Sequence, residues 1–174
     1  MYEIGDFIVR ANTGVCKVVD ILNLDMSGID RSKLYYQLVP LDDDKAKIYI
    51  PTESAHLVTR KVMTMEEAMK LIEQVADIEV LNVTNDKLRE QKYKERVKGS
   101  NPRELLQIIK TIYLRKKERL DQGKKNTAAD ENYYRLAEKQ LFSELCVALK
   151  KSNDDIHKLI VMSVNKNNTS QIHT

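Results

Sequence analysis

The chain has 174 residues, 42% of them apolar and 32% charged, with a formal net charge of +3. That length admits one or two small domains with modest cores, and the balance excludes a disordered chain. No run approaches the roughly 20 apolar residues that span a bilayer, and MYEIGDFIVR lacks the basic start and apolar run of a secretory leader, so a cytosolic protein without membrane contact is expected.

The first sixty residues read as strands. GDFIV (Gly5 to Val9) is rich in β-formers, and NTG (Asn12 to Gly14) is a turn whose Asn and Gly tolerate positive φ. VCKVVDIL (Val15 to Leu22) and KLYYQLVPL (Lys33 to Leu41) are the second and third strands, separated by the polar loop DMSGIDRS. DDDK (Asp42 to Lys45) is an acidic turn. AKIYIP (Ala46 to Pro51) is a fourth strand stopped by a proline that cannot donate to a ladder, and HLVTRKV adds a short fifth. Short strands at close spacing with no helix between them predict a small SH3-like or Tudor-like barrel.

From Thr64 the period becomes helical. TMEE is a capping box with Thr64 at the N-cap and Glu67 at N3, opening MEEAMKLIEQVADI with Ala68, Leu71, Ile72 and Val75 on one side. After NVTND comes a cationic helix, Lys87 to Lys98, with only Leu88, Tyr93 and Val97 as apolar residues. In GSNPRE, Gly99 is expected to end that helix in a left-handed conformation. Ser100 or Asn101 then caps the next helix, with Pro102 in its first turn. PRELLQIIKTIYLRKKERLDQG carries Leu105, Ile108, Ile109, Ile112 and Tyr113 on one face and stops at Gly123. Thr127 caps ENYYRLAEKQLFSELCVALKK, striped by Tyr134, Ala137, Leu141, Leu145 and Ala148. SNDD starts a shorter helix to about Val164, and the polar end is expected to fray. The fold class is therefore α+β: a β-barrel over residues 1–62, a bundle of four to five helices over 63–164, and a tail over 165–174.

Little in the chain suggests catalysis. There is no glycine-rich phosphate loop and no GxSxG, and His56, His157 and His173 are scattered. His56 reads as a surface residue rather than a base. Cys16 and Cys146 lie far apart with no metal-ligand spacing and read as small core residues. Asp42 to Asp44 lack the further oxygen ligands of a cation site. No enzyme activity, metal or cofactor is expected.

The charge is unevenly spread. Residues 1–60 hold seven Lys/Arg and nine Asp/Glu, whereas Asp86 to Lys125 holds fourteen basic and six acidic residues. A charge run is commonly a solvated helix face supported by i,i+4 pairs. Here the excess has one sign and recurs in RKKER (Arg115 to Arg119) and GKK (Gly123 to Lys125), and such a field attracts polyanions. The candidate DNA-binding residues are Asn85, Lys87, Arg89, Lys92, Lys94, Arg96, Lys98, Arg115, Lys116, Arg119, Lys124 and Lys125. With no base-reading helix in view, phosphate contacts with little sequence preference are expected.

The order of parts adds a further reading. IGDFIV, then NTGVCKVVDI, KLYYQLVP and KIYIPTESAHLVTR, followed by KYKERVKGSNPRELLQIIKTIYLRKKERL and AEKQLFSELCVAL, resembles the CarD/CdnL family of bacterial transcription regulators. Their front domain is shared with transcription-repair coupling factor. The resemblance rests on Gly5-Asp6, Gly14, Tyr35-Tyr36, Ile50-Pro51, Ala55 and Arg60, and runs to about Leu149. It implies that the front barrel docks on the RNA polymerase β subunit by pairing a strand edge, here Lys45, Lys47, Ile48, Tyr49 and Ile50. It also implies that the helical domain sits on double-stranded promoter DNA and modulates open-complex stability, as a monomer associated with the nucleoid.

Three departures accompany the resemblance. Family members place a tryptophan at the start of the basic helix as a minor-groove wedge. This chain contains no tryptophan, and the position falls near Asn85 or Asp86. Arg10-Ala11 stands where the family has an aromatic-proline pair. A strongly basic docking position aligns near Tyr49, with Lys47 beside it. A nonspecific architectural DNA-binding protein and a protein–protein adaptor are the alternative readings.

Overall fold

The structure, a computed structural model, describes the backbone of residues 1–170 and the side chains of residues 1–166. The chain forms two compact units, Met1–Val62 and a second beginning at Met63. The front unit is a curled antiparallel half-barrel of five strands: β1 (Phe7–Arg10), β2 (Gly14–Asn23), β3 (Leu34–Pro40), β4 (Ile48–Pro51) and β5 (Thr59–Lys61), in the spatial order β4-β3-β2-β1-β5. The expected Tudor-like α+β class is therefore present, with β4 and β5 left as edges.

Local chemistry explains the turns. Asn12 (φ 63°) and Gly14 (φ 90°) take the positive φ that the β1–β2 connection needs. The β2–β3 register slips between Val18 and Asp20. That bulge accentuates the twist and bends the strand, which helps the sheet to curl. Period-2 alternation sends Ile8, Cys16, Val18, Tyr36, Leu38 and Ile50 to one core, closed by Ala55. Tyr36 is 1% exposed, and its hydroxyl accepts the Tyr2 backbone N–H at 2.9 Å.

The helical unit holds α1 (Met65–Glu73), α2 (Asp86–Gly99), α3 (Pro102–Asp121), α4 (Ala128–Leu149) and α5 (Asn153–Ser170). The Thr64–Glu67 capping box is complete in both directions. Asn101 caps α3 through Arg103 and Glu104, and Thr127 caps α4 through Asp130. The α1 helix is shorter than its apolar period suggests, yet Val75 and Ile78 in the turns beyond it remain buried. α5 extends past Val164 to Ser170, so the predicted tail begins as helix, and its last part, residues 171–174, lies outside the described residues. Cys16 is fully buried, whereas Cys146 is half-buried at the core's margin.

One expectation about a helix end is corrected. Gly99 stays helical, and Ser100 takes the left-handed conformation at φ 52°. The Ser100 hydroxyl donates to Gln140 Oε1 at 2.7 Å, a tether to α4 that glycine could not provide. Lys110 is also not a surface cation. It is 8% exposed, and its ammonium donates to the carbonyls of Val75, Ala76 and Ile78 at 2.7–2.8 Å. All three donors are used, and the turns after α1 gain a cap from a neighbouring helix. Burial holds the Lys110 pKa below its ordinary value. Lys110→Met should cost about 2–4 kcal/mol, because it leaves buried carbonyls unpaired. Urea denaturation measures this, and a loss below about 0.5 kcal/mol would show the cap to be unimportant.

Candidate docking edge and nucleic-acid interface

β4 pairs only with β3, in the register Tyr36↔Ile50, Gln37↔Tyr49 and Leu38↔Ile48. Thr52 N–H donates to Leu34 O at 3.0 Å. In an antiparallel ladder, bonded and non-bonded pairs alternate. Ile48 and Ile50 therefore spend their backbone groups on β3, while Tyr49 directs its N–H and C=O to the free side. Pro51 also occupies an outward position, where its missing N–H costs the sheet nothing.

The predicted docking residues thus separate. Ile50 is buried and Ile48 half-buried in the front core, so their side chains are structural. Tyr49 is 36% exposed on the opposite face. Lys45 and Lys47 precede the strand, which starts at Ile48 rather than Ala46. The cause is Asp43, whose carboxylate accepts the Lys45 and Ala46 N–H groups and holds the chain in a turn. Asp42 to Asp44 are exposed members of that acidic turn. Among the described residues, no three His, Cys, Asp or Glu side chains gather as a metal site.

In the helical unit, lysines and arginines part company. Lys87, Lys94 and Lys98 recur at helical spacing on the outer face of α2 and are exposed; Lys92 sits at its flank, half-buried. Lys116, Lys124 and Lys125 are exposed in α3 and the loop after it. Arg89, Arg96, Arg115 and Arg119 are instead engaged by partners within the unit.

Arg89, placed among the DNA-binding candidates, is 6% exposed. Its Nε donates to Val83 O at 3.1 Å, a second nitrogen reaches the same carbonyl, and Nη1 pairs with Asp86. It ties the 83–86 loop to the helix and offers nothing to a phosphate at the surface. Arg115 donates to the buried Asp130 at 2.9 Å and lies 3.5 Å from Asp86. Arg96 donates to Gln107 Oε1 at 3.0 Å, and Arg119 to Lys125 O at 2.9 Å. The planar guanidinium suits such fixed internal forks, whereas a lysine keeps its hydrated head in water.

Asn85 and Asp86, read as part of the polar break before the helix, are instead its N-cap and first residue. Asn85 caps it through Leu88 N–H. Asp86 is held by two arginines, and the Arg89 hydrogen bond is the main cause of its lowered pKa. That contribution to stability is present above the ordinary carboxylate pKa and disappears as pH falls through the lowered one. Tyr93, expected in the core, is 1% exposed. Burial and then the Asp130 carboxylate push its phenol up.

Arg89→Lys should destabilise the protein by about 2–3 kcal/mol, since a lysine cannot reproduce the fork that holds Val83 O and Asp86. The salt dependence of any DNA binding should not change. Thermal denaturation together with a salt titration measures both, and a variant as stable as the parent would contradict the internal role of Arg89. The sequence contains one cue to its role, the (i, i+3) spacing of Asp86 and Arg89; the Val83 carbonyl leaves no such trace.

The front unit is thus a small curled sheet whose outer strand β4 is paired on one side only. Residues 2–63, which span the front unit, match the CarD-like/TRCF RID domain family. Members of that domain family are associated with binding to the RNA polymerase β subunit. Comparison with curated proteins gave no match. No helix among the described residues is long and apolar enough to cross a membrane.

Proposed function

We propose that this chain is a transcription regulator that docks on the RNA polymerase β subunit through the β4 edge and contacts promoter DNA through its helical unit, altering the lifetime of the open complex. The observation that carries this reading is an unpaired strand edge on a CarD-like domain, followed in the same chain by a lysine-faced helical unit. Edge pairing supplies affinity through main-chain hydrogen bonds. The lysine face supplies phosphate contacts and counterion release, which need no base reading. The salt-linked Asp86, where the family resemblance places a wedge, favours backbone contact over base unstacking. It equally favours the second reading, an architectural DNA-binding protein that acts without polymerase.

Open-complex lifetime on a promoter distinguishes the two. With its own polymerase, the full chain is expected to change the half-life of competitor-resistant complexes severalfold. Triple replacement of Lys87, Lys94 and Lys98 by glutamine should remove that change. An unchanged half-life, with DNA binding retained, would support the architectural reading.

A further inference from the structure

The helical unit contains a cavity of about 650 Å³ that shares only Lys116 with the candidate DNA surface. Five of its lining residues come from one face of α3, Ile112, Tyr113, Lys116, Lys117 and Leu120, at the i, i+1, i+4, i+5, i+8 spacing of a helix. Tyr134 of α4 and His157 of α5 complete it on neighbouring helices, and Asn126 lines it from the α3–α4 connection. The volume falls within the roughly 300–1,000 Å³ of small-molecule sites.

Two observations define what would fit. The body of the site is apolar and aromatic, and Leu120 is 58% exposed although it belongs to this lining. Such an exposed leucine beside two tyrosines is apolar surface left without a partner. Lys116 and Lys117 carry two positive charges into the lining against the single carboxylate of Glu131, and neither lysine forms an ion pair among the described residues.

We infer that this cavity is a binding site for an amphipathic organic anion, with an apolar chain or ring against Ile112, Tyr113, Leu120 and Tyr134 and an anionic head between Lys116 and Lys117. Apolar burial provides the affinity and the paired lysines provide the preference for a negative head. Because Lys116 also belongs to the candidate DNA surface, occupancy would withdraw one phosphate contact, but the site stands without any DNA reading.

The test uses the isotopically labelled full chain, titrated with decanoate and with the neutral decanol of equal length, following amide shifts. Decanoate is expected to saturate with a Kd on the order of 0.1 mM, a reasonable affinity for about twelve heavy atoms. Shifts should concentrate at residues 112–134 and around His157. Joint replacement of Lys116 and Lys117 by glutamine should weaken decanoate roughly tenfold and leave decanol unchanged. Leu120→Glu, at an exposed position, should weaken both without unfolding the protein. Shifts elsewhere in the chain, no saturation at millimolar decanoate, or equal affinity for acid and alcohol would each overturn the assignment.

Discussion

Replacing Tyr49 by proline is expected to abolish docking on the RNA polymerase β subunit while leaving the front sheet folded. Tyr49 stands opposite Gln37 at a non-bonded position of the β3–β4 ladder, so its N–H faces away from β3. Proline removes that outward donor and places its ring where an incoming strand would lie. Pro51, two residues on, shows that this side of β4 already accommodates a proline. Affinity for the β fragment should fall by about a hundredfold or more, as expected when edge pairing is blocked and a desolvated carbonyl is left unpaired. The melting temperature should move only a few degrees. The neighbouring Ile50→Pro is the control with the opposite outcome. Ile50 is 6% exposed and its N–H belongs to the ladder, so proline there should cost about 3 kcal/mol or more and unfold the front unit. Full docking by the Tyr49 variant would exclude this edge.

The second large effect is expected on DNA. Converting Lys87, Lys94 and Lys98 to glutamine removes three exposed charges from one face of α2 and touches no described hydrogen bond. If each neutralises one phosphate, the slope of log K against log salt should fall in magnitude by about 2.7, from the value of roughly 0.9 per phosphate. At about 0.1 M salt the affinity should drop by about two orders of magnitude, equally for unrelated sequences. Circular dichroism should show unchanged helicity. A variant with an unaltered slope would move the DNA surface to Lys116, Lys124 and Lys125 or remove it altogether.

The sequence revealed elements better than it revealed partners. The NTG turn, the Thr64–Glu67 box and the Thr127 cap are signalled within a few residues and form as read, and of the two caps offered for α3, Ser100 and Asn101, it is Asn101 that forms. Strands and the α3 stripe follow from apolar period alone. What stayed hidden depends on residues far apart in the chain. Gly99 and Ser100 are adjacent, and Ser100, which takes the left-handed conformation, is tethered to Gln140, forty positions away. Lys110 looks like one more cation until three carbonyls more than thirty residues upstream surround it. The basic run suggested a uniform interface because composition counts charge without direction. The fold divides it, with Arg89, Arg115 and Lys110 holding carbonyls and carboxylates inside the unit while Lys87, Lys94, Lys98, Lys116, Lys124 and Lys125 remain exposed.

The edge-docking claim is tested most directly at one amide. In the free protein the Tyr49 N–H points to the unpaired side of β4 and should exchange with solvent rapidly, while Ile48 and Ile50 are protected by the ladder. Residue-resolved hydrogen exchange on the full chain, with and without the β subunit of its own polymerase, reads all three together. Strong protection appearing at Tyr49 in the complex, with Ile48 and Ile50 unchanged, is the predicted result. A complex that forms while Tyr49 still exchanges at its free rate would contradict docking through this edge.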